Sequence, residues 1–402
     1  MKKEKLRIGI IGLGQRGFGV LRDVLLQNRA KVLITALCDV YEDRVEKAQK
    51  QVTEAECPRP FCTTNYHEIL CCDDVDAVLV MCSWEDHVRV AVDALRAGKP
   101  VGMEVGGAYS VEECWSLVRA QEETGTPFMF LENCCYGRRE MMVMNMINQG
   151  VFGDVVHCSG SYEHDLRYEV SHGEGLRHYR LRNYIHRNCE NYPTHELGPI
   201  AQILRINRGN RMLSLTSTAS RAAGMHQYIV EHMPENTKLV NAEFKQGDVV
   251  TTVIKCANGE TIRLTLGTCL PRFYSRNFTV NGTKAMYEEN SDSFFIDGDE
   301  EMTENEWDWR TQFGNATKFE EKYEHPVWNK FLRDGLRGGH GGMDWLVFGE
   351  FVDCLLENRP FPIDVYDAAA WMAITPLSEQ SIATGSMPVA IPDFTNGKWT
   401  SR

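Results

Sequence analysis

The chain lacks several things that would point to particular classes of protein. No run of about 18 apolar residues occurs in its 402 residues, so no membrane-spanning helix is expected. Cations are outnumbered: 43 Lys and Arg face 56 Asp and Glu, a formal net charge of −13. No Lys/Arg-rich run is present either. This argues against a nucleic acid or an anionic membrane surface as the main partner. Fourteen cysteines are present, yet no Cys-x-x-Cys occurs. Their spacings are irregular, and the neighbours Cys71-Cys72 and Cys134-Cys135 are awkward for disulfides, so a zinc or redox motif is not indicated and no metal is expected. Reduced thiols in a cytoplasm are the simpler account. The opening Met1-Lys-Lys-Glu-Lys-Leu-Arg7 has no apolar h-region and no cleavage site, so no export leader is expected. No internal repeat or low-complexity segment is evident.

What is present is 43% hydrophobic and 25% charged residues, the balance of a globular protein. The length exceeds one core and suits two domains. The stretch Arg7-Ile-Gly-Ile-Ile-Gly-Leu-Gly-Gln-Arg-Gly17 reads as an apolar strand entering a glycine turn. Gly12, Gly14 and Gly17 have G-x-G-x-x-G spacing, and Phe18, Val20, Leu21, Val24 and Leu25 follow with helical period. In a dinucleotide site the first glycine makes the turn, the second admits the pyrophosphate, and the third lets helix and strand pack closely. The helix start then offers N–H groups to phosphate. A second apolar strand ends at Asp39, 22 residues beyond Gly17. A carboxylate there accepts from a ribose diol and repels a 2′-phosphate, which favours NAD. A plain βα turn with a solvated aspartate is the alternative.

Strands and amphipathic helices alternate to about residue 130, implying a parallel, doubly wound Rossmann sheet. Val75–Cys82 reads as a buried strand. Ser83-Trp84-Glu85-Asp86-His87 follows its carboxyl end, where ligands bind in such sheets, and a helix over Val88–Ala97 comes next. Glu104-Val105 ends another strand, and Glu132-Asn133 a further one. After Val151 the pattern changes to hairpin-like, β-branched stretches with Asn258-Gly259 and Asn281-Gly282 turns, indicating an antiparallel second domain. The expected fold is therefore α/β followed by α+β. The boundaries are 1–135 for the dinucleotide domain and 136–402 for a substrate and oligomerisation domain, with a C-terminal helix free to pack back on the first. Ser291–Asp308 reads as an acidic surface excursion, and helices are expected over Asp344–Glu357 and Val365–Thr384.

Residues 163–195 read as a loop dense in Tyr, His and Arg, among them His164, Arg167, His178, Arg180 and Tyr184. Solubility loops favour Ser, Lys and Glu, whereas these side chains bind sugars and polarise hydroxyls. In Asn191-Tyr192-Pro193-Thr194-His195-Glu196, Pro193 fixes a turn and Thr194 is placed to N-cap a helix. His195 then lies at a helix mouth, where the dipole favours the neutral ring that acid/base work requires. A merely structural histidine remains the alternative. His340, in a glycine-rich turn, is a weaker site candidate.

The first 130 residues resemble the glucose–fructose oxidoreductase and inositol dehydrogenase superfamily, whose members join a Rossmann domain to a domain with a large open sheet. Its usual catalytic Glu-Lys-Pro reads Glu104-Val105-Gly106 here. That departure, and nearly the whole chain, resembles glycoside hydrolase family 109, the NAD-dependent α-N-acetylgalactosaminidases. The likeness rests on Gly14-Gln-Arg-Gly17, Trp84-Glu-Asp-His87, Glu132-Asn-Cys-Cys-Tyr-Gly-Arg138, Ser161–Arg167, Tyr192–Pro199, Ile206–Gly209, Pro271–Arg276, Gly338–Asp344 and Pro392–Thr395. The resemblance implies NAD contacts from Gln15, Arg16, Asp39, Trp84, Glu85, His87, Glu104, Val105, Asn133 and Tyr192. It implies substrate contacts from Tyr162, Arg180, Tyr192, Pro193, Thr194, His195 and Tyr274.

The chemistry so implied oxidises the sugar C3 hydroxyl, removes the acidified C2 proton, eliminates the aglycone, adds water and re-reduces C3, so NAD is recycled. Tyr162 is expected to take the C2 proton. His195 is expected at the C3 hydroxyl or the leaving group, with Glu132, His164, Tyr192 and Tyr274 positioning and polarising. The partners implied are a small glycoside and a second copy of the chain in a homo-oligomer. Two other readings stand beside this one: a conventional NAD-dependent sugar or cyclitol dehydrogenase using His195, and a non-catalytic NAD sensor.

Overall fold

The structure is a computed structural model and describes residues 4–299, 302, 307 and 309–402. The chain forms two compact units, one of residues 1–133 with 335–369 and one of 134–334 with 370–402. The first unit ends beside the boundary placed at 135, and residues 335–369, which hold a helix, rejoin it.

The first unit holds six strands: β1 (Leu6–Ile11), β2 (Val32–Cys38), β3 (Phe61–Thr63), β4 (Ala77–Val80), β5 (Val101–Met103) and β6 (Phe128–Phe130). They run parallel in the order β3-β2-β1-β4-β5-β6. That order reverses direction beside β1, and in doubly wound sheets ligands bind at the crevice this creates. β4 is buried at every residue, as a parallel strand covered on both faces must be. Helix Val111–Thr124 starts with a capping box between Ser110 and Glu113 and ends on left-handed Gly125, so local signals set both of its ends. The helix after the glycine turn is α-helical over Gln15–Val20 and widens to a π-helix over Leu21–Leu25.

The returning segment completes this unit. Its helix Met343–Glu357 carries Phe351, which packs on Gly102 of β5. The Phe130 amide of β6 donates to the Ile363 carbonyl at 3.0 Å. The helix expected over 88–97 begins earlier, at Trp84. Glu85 and Asp86 occupy its first turn, where negative charge meets the positive dipole end.

The second unit carries an eight-stranded sheet. Its strands are β7 (Val155–Glu163), β8 (Met212–Ala219), β9 (Val250–Cys256), β10 (Thr261–Gly267), β11 (Thr279–Gly282), β12 (Ala285–Glu288), β13 (Ser293–Ile296) and β14 (Val389–Ala390). The order is β13-β12-β11-β7-β10-β9-β8-β14, and only β7 and β10 pair in parallel. β13 corrects the reading of 291–308 as a surface excursion. Ser293 and Phe294 are buried and pair with β12, although acidic neighbours mask the strand in the sequence. Residues 300, 301, 303–306 and 308 of that stretch lie outside the described residues. The loop expected over 163–195 contains helices Arg167–Ser171 and Arg180–His186, too short to show an apolar period. The helix expected over 365–384 is two, Val365–Met372 and Ile374–Ala383.

Candidate functional site

In the first unit the glycine turn has the form a pyrophosphate requires. Gly12 has φ +103°, and a Cβ there would lie 2.5 Å from the Met81–Cys82 backbone. A Cβ on Gly17 would lie 2.1 Å from the Gly12 carbonyl oxygen, whereas one on Gly14 would meet nothing closer than Arg44 at 3.5 Å. Gly12 and Gly17 are thus consumed by packing, and Gly14 leaves room for a ligand. Asp39 is buried at the end of β2. Its Oδ2 accepts from the Leu13 amide at 2.7 Å and its Oδ1 from the Tyr41 amide at 3.0 Å, so the acidic residue braces the turn. Arg44, unremarked in the sequence, lies 3.7 Å from that carboxylate.

Arg16 is held through all three of its guanidinium nitrogens. Its Nε donates to Glu104 at 3.0 Å, and its Nη1 and Nη2 make a bidentate pair with Asp344 at 2.7 and 2.9 Å. Asn133 Nδ2 donates to the same Asp344 at 2.9 Å, and His340 Nδ1 lies 2.7 Å from its other oxygen. Two expected cofactor residues, Arg16 and Asn133, therefore meet on Asp344, and a third, Glu104, joins them through Arg16; the sequence marks Asp344 only as the end of a motif and the start of a helix. The weaker candidate His340 belongs to the same cluster. Burial alone would raise the Asp344 carboxyl. Hydrogen bonds from His340 and Arg16, and their charge, hold it instead far below the usual carboxylate range. Burial pushes Glu104 the other way, against the opposing pull of Arg16.

Trp84 and His87 are buried rather than open to solvent. The His87 ring sits 2.6 Å from the Cys82 carbonyl, and burial lowers its pKa to about 4, so it is neutral and fastens the end of β4. A Cβ on Gly106 would fall 2.3 Å from the Trp84 ring. The glycine in Glu104-Val105-Gly106 is thus demanded by the indole beside it. Glu85 stands half-buried in the first turn of the same helix, Val105 is buried after β5, and Glu132 is fully buried after β6.

In the second unit, rings converge on Tyr162 at the end of β7. Tyr192 lies 4.8 Å away between centroids, His195 5.7 Å, His164 5.8 Å and Tyr274 6.4 Å. Tyr192 and His195 meet edge to face at 4.7 Å, as do His164 and Tyr274 at 5.3 Å, the arrangement that aromatic quadrupoles favour. Arg180 opens a short helix, is buried, pairs through Nε with Glu169 at 3.0 Å and lies 5.0 Å over the Tyr192 ring. Burial and the Arg180 charge lower the His164 pKa, favouring its neutral ring.

Three local devices assemble this cluster. The parallel β7–β10 register sets Tyr162 beside Leu266. Paired backbone bonds between Glu163 and Ser275, at 3.1 and 3.0 Å, strap the Tyr274 loop to β7. A bare Gly160 admits the helix that carries His195: a Cβ there would lie 3.0 Å from Glu196 Cβ and 3.1 Å from the Glu196 carbonyl oxygen. Gly160→Ala is expected to cost about 1–3 kcal/mol through overpacking. It should raise the sugar KM by displacing His195 and Glu196, as urea melts and steady-state kinetics will show.

One detail differs from expectation. Pro193, with φ −71° and ψ −16°, is itself the N-cap of helix Thr194–Ile203, and no side chain caps that end. The ring of Pro193 already fixes helical φ, so the helix starts early and Thr194 falls inside it. Its buried Oγ1 makes no hydrogen bond among the described residues. Tyr192 and His195 still flank the helix start, and Pro193 is buried between them.

A six-stranded Rossmann sheet with a pyrophosphate turn, joined in one chain to an open mixed sheet bearing a Tyr/His/Arg cluster, defines the NAD-binding oxidoreductase-like class. The sequence model described as "Oxidoreductase family, NAD-binding Rossmann fold" matches residues 6–131. That described as "Glycosyl hydrolase 109, C-terminal domain" matches residues 136–401. The chain belongs to glycosyl hydrolase family 109. It is 38% identical to an alpha-N-acetylgalactosaminidase of Tannerella forsythia, over 99% of this chain and 88% of that protein. It is 37% identical to a glycosyl hydrolase family 109 protein of Parabacteroides distasonis, with the same coverage. Among solved structures it resembles levoglucosan dehydrogenase in complex with NADH and levoglucosan, with TM-score 0.70 at 16% identity, covering 96% of this chain and 100% of that one. It also resembles myo-inositol 2-dehydrogenase of Lactobacillus plantarum, with TM-score 0.66 at 14% identity, covering 96% and 100%. These two likenesses establish the fold. The protein is an NAD-dependent glycosidase of this family, and the fit of NAD is visible in the room left at Gly14 and in the brace at Asp39.

Proposed function

We propose that the enzyme cleaves α-N-acetylgalactosaminides and related glycosides, with Tyr162 removing the sugar C2 proton. The observation that carries this reading is the ring cluster around Tyr162, which puts two histidines and two further tyrosines within 6.4 Å of one phenol. NAD, when bound, supplies hydride acceptance at C3 and its return.

Within the chain, Tyr162 takes the C2 proton, and the buried Arg180 lies 5.0 Å over the neighbouring Tyr192 ring. His195 exchanges a proton with the C3 hydroxyl or the glycosidic oxygen. His164, Tyr192 and Tyr274 orient the ring, Pro193 and Thr194 line the sugar, and the buried Glu132 polarises a hydroxyl. Gln15, Arg16, Asp39, Trp84, Glu85, His87, Glu104, Val105 and Asn133 serve the cofactor. The valine at 105, where dehydrogenases of the superfamily carry lysine, supports the hydrolase over the dehydrogenase reading. Turnover in deuterated water is expected to place one deuterium at C2 of each released sugar. Product without label at C2 overturns the elimination route.

The same reading includes a homo-oligomer, supported by the exposed Val253 on a sheet face it shares with Thr251 and Lys255 of β9. Val253→Glu should lower the sedimentation coefficient. No described helix is long and apolar enough to cross a membrane. Among the described residues the fourteen cysteines form no disulfide, which supports a reducing cytoplasm and is checked by cell fractionation.

A further inference from the structure

The second unit buries two carboxyl groups that the reaction above does not use. Glu190 is fully buried and Glu196 is 2% exposed. They bracket the substrate turn: Glu190 stands two residues before Tyr192, and Glu196 directly follows His195. Glu196 Oε2 accepts from the Thr265 amide of β10 at 3.2 Å. Among the described residues, its Oε1 and both oxygens of Glu190 meet no donor in full hydrogen-bonding geometry. The two carboxyls face each other within hydrogen-bonding reach.

Among the described residues, no cation figures among the groups that act most on either carboxyl. Glu190 is faced by the amides of Tyr192 and of Leu266 in β10. The charged groups that act most on Glu196 are Glu190 and, from β7, Glu163, both negative. Glu163 has its own partner in Arg272, and Arg187 and Glu379 pair with each other at 2.6 Å. From helix Ile374–Ala383 come two hydroxyls that engage only the Glu190 backbone: its amide donates to Ser378 Oγ and its carbonyl accepts from Thr375 Oγ1, both at 2.8 Å. Two ionised carboxylates in contact, out of water and without a cation, repel strongly. A single proton between them removes that repulsion and supplies a donor from one carboxyl to the other.

We propose that Glu190 and Glu196 share one proton, and that this carboxyl–carboxylate bridge is a positioning device holding both ends of the Tyr192–His195 turn. It closes the turn as a clasp, with Glu196 fixed against Gly160 of β7 and Thr265 of β10 and Glu190 fixed on the helix behind. Burial pushes both carboxyls above their ordinary range, and Glu196 further through the charge of Glu190, so the proton is retained through neutral pH. Losing it in alkali opens the clasp and loosens the turn.

This inference rests on the proposed role of the turn in sugar binding, so one arm of its test needs no sugar. Infrared difference spectra of the full-length enzyme, titrated over about pH 6–10, should show a protonated-carboxyl carbonyl band that disappears in alkali and is absent from E190Q and E196Q. In the second arm, with p-nitrophenyl α-N-acetylgalactosaminide, the wild-type KM should rise about tenfold over that range while kcat changes less than about twofold, the mark of lost ground-state binding. E196A should raise KM at every pH. E196Q, whose amide donates to Glu190 without a titrating proton, should lie nearer the wild type and lose the alkaline rise. The band persisting in both Gln variants, or E196Q retaining the same alkaline rise, overturns the proposal. The expected band from a wild type that releases no nitrophenol supports the shared proton and overturns the α-N-acetylgalactosaminide reading instead.

Discussion

Tyr162→Phe is expected to abolish exchange of the sugar C2 hydrogen with solvent and to lower kcat by about a thousandfold or more, within the span that loss of a positioned general base produces. NAD affinity should be unchanged, because the glycine turn and Asp39 belong to the other compact unit. The fold should survive as well: Tyr162 lies among rings at 4.8–6.4 Å, and phenylalanine keeps those contacts. Isotope exchange followed by NMR, beside calorimetric NAD titration, separates the two functions. Exchange at the wild-type rate removes Tyr162 from the role of base.

The second large effect is expected from Asp344→Asn. One oxygen of Asp344 serves Arg16 and Asn133, and the other serves Arg16 and His340. An amide turns one acceptor into a donor aimed at a cation or at a neighbouring amide. Breaking a buried ion pair from one side costs about 3–5 kcal/mol; the partial exposure of Arg16 places this case at the lower end. Urea denaturation should show that loss, and NAD affinity should fall at least about tenfold as Arg16 and Glu104 come loose. The pH dependence has a definite sign. The folded state holds the Asp344 carboxyl far below its ordinary value. Its contribution is therefore complete above about pH 4 and is lost as the solution is acidified below that. The stability of D344N should fall less steeply in acid.

These two sites differ in how far they can be read from the residues alone. The Rossmann half announces itself because its signals are local: Gly12 to Gly17, the strand before them and Asp39 lie within one βαβ unit. Asp344 is 328 residues from Arg16, and nothing in a glycine-rich segment states where it returns. The residues of the ring cluster were recognisable as a set by type, but the helices 167–171 and 180–186 that present them were not. Thr194 has the residue type of a cap, but proline at 193 takes that position. The Glu190–Glu196 pair is invisible for a simple reason: glutamate in a sequence reads as solvated, and only the folded chain reveals that both acids are buried. β13 was missed because acidic residues surround a strand whose apolar core is only Phe294-Phe295-Ile296.

The most direct test of the account follows nitrophenol release from p-nitrophenyl α-N-acetylgalactosaminide and NADH absorbance in the same cuvette, with NAD equimolar to enzyme. Release should continue through many turnovers with no net NADH, because each hydride taken from C3 is returned to it. One NADH accumulating per sugar consumed, or release stopping after one equivalent, would contradict a recycled cofactor and return the protein to the dehydrogenases it resembles in fold.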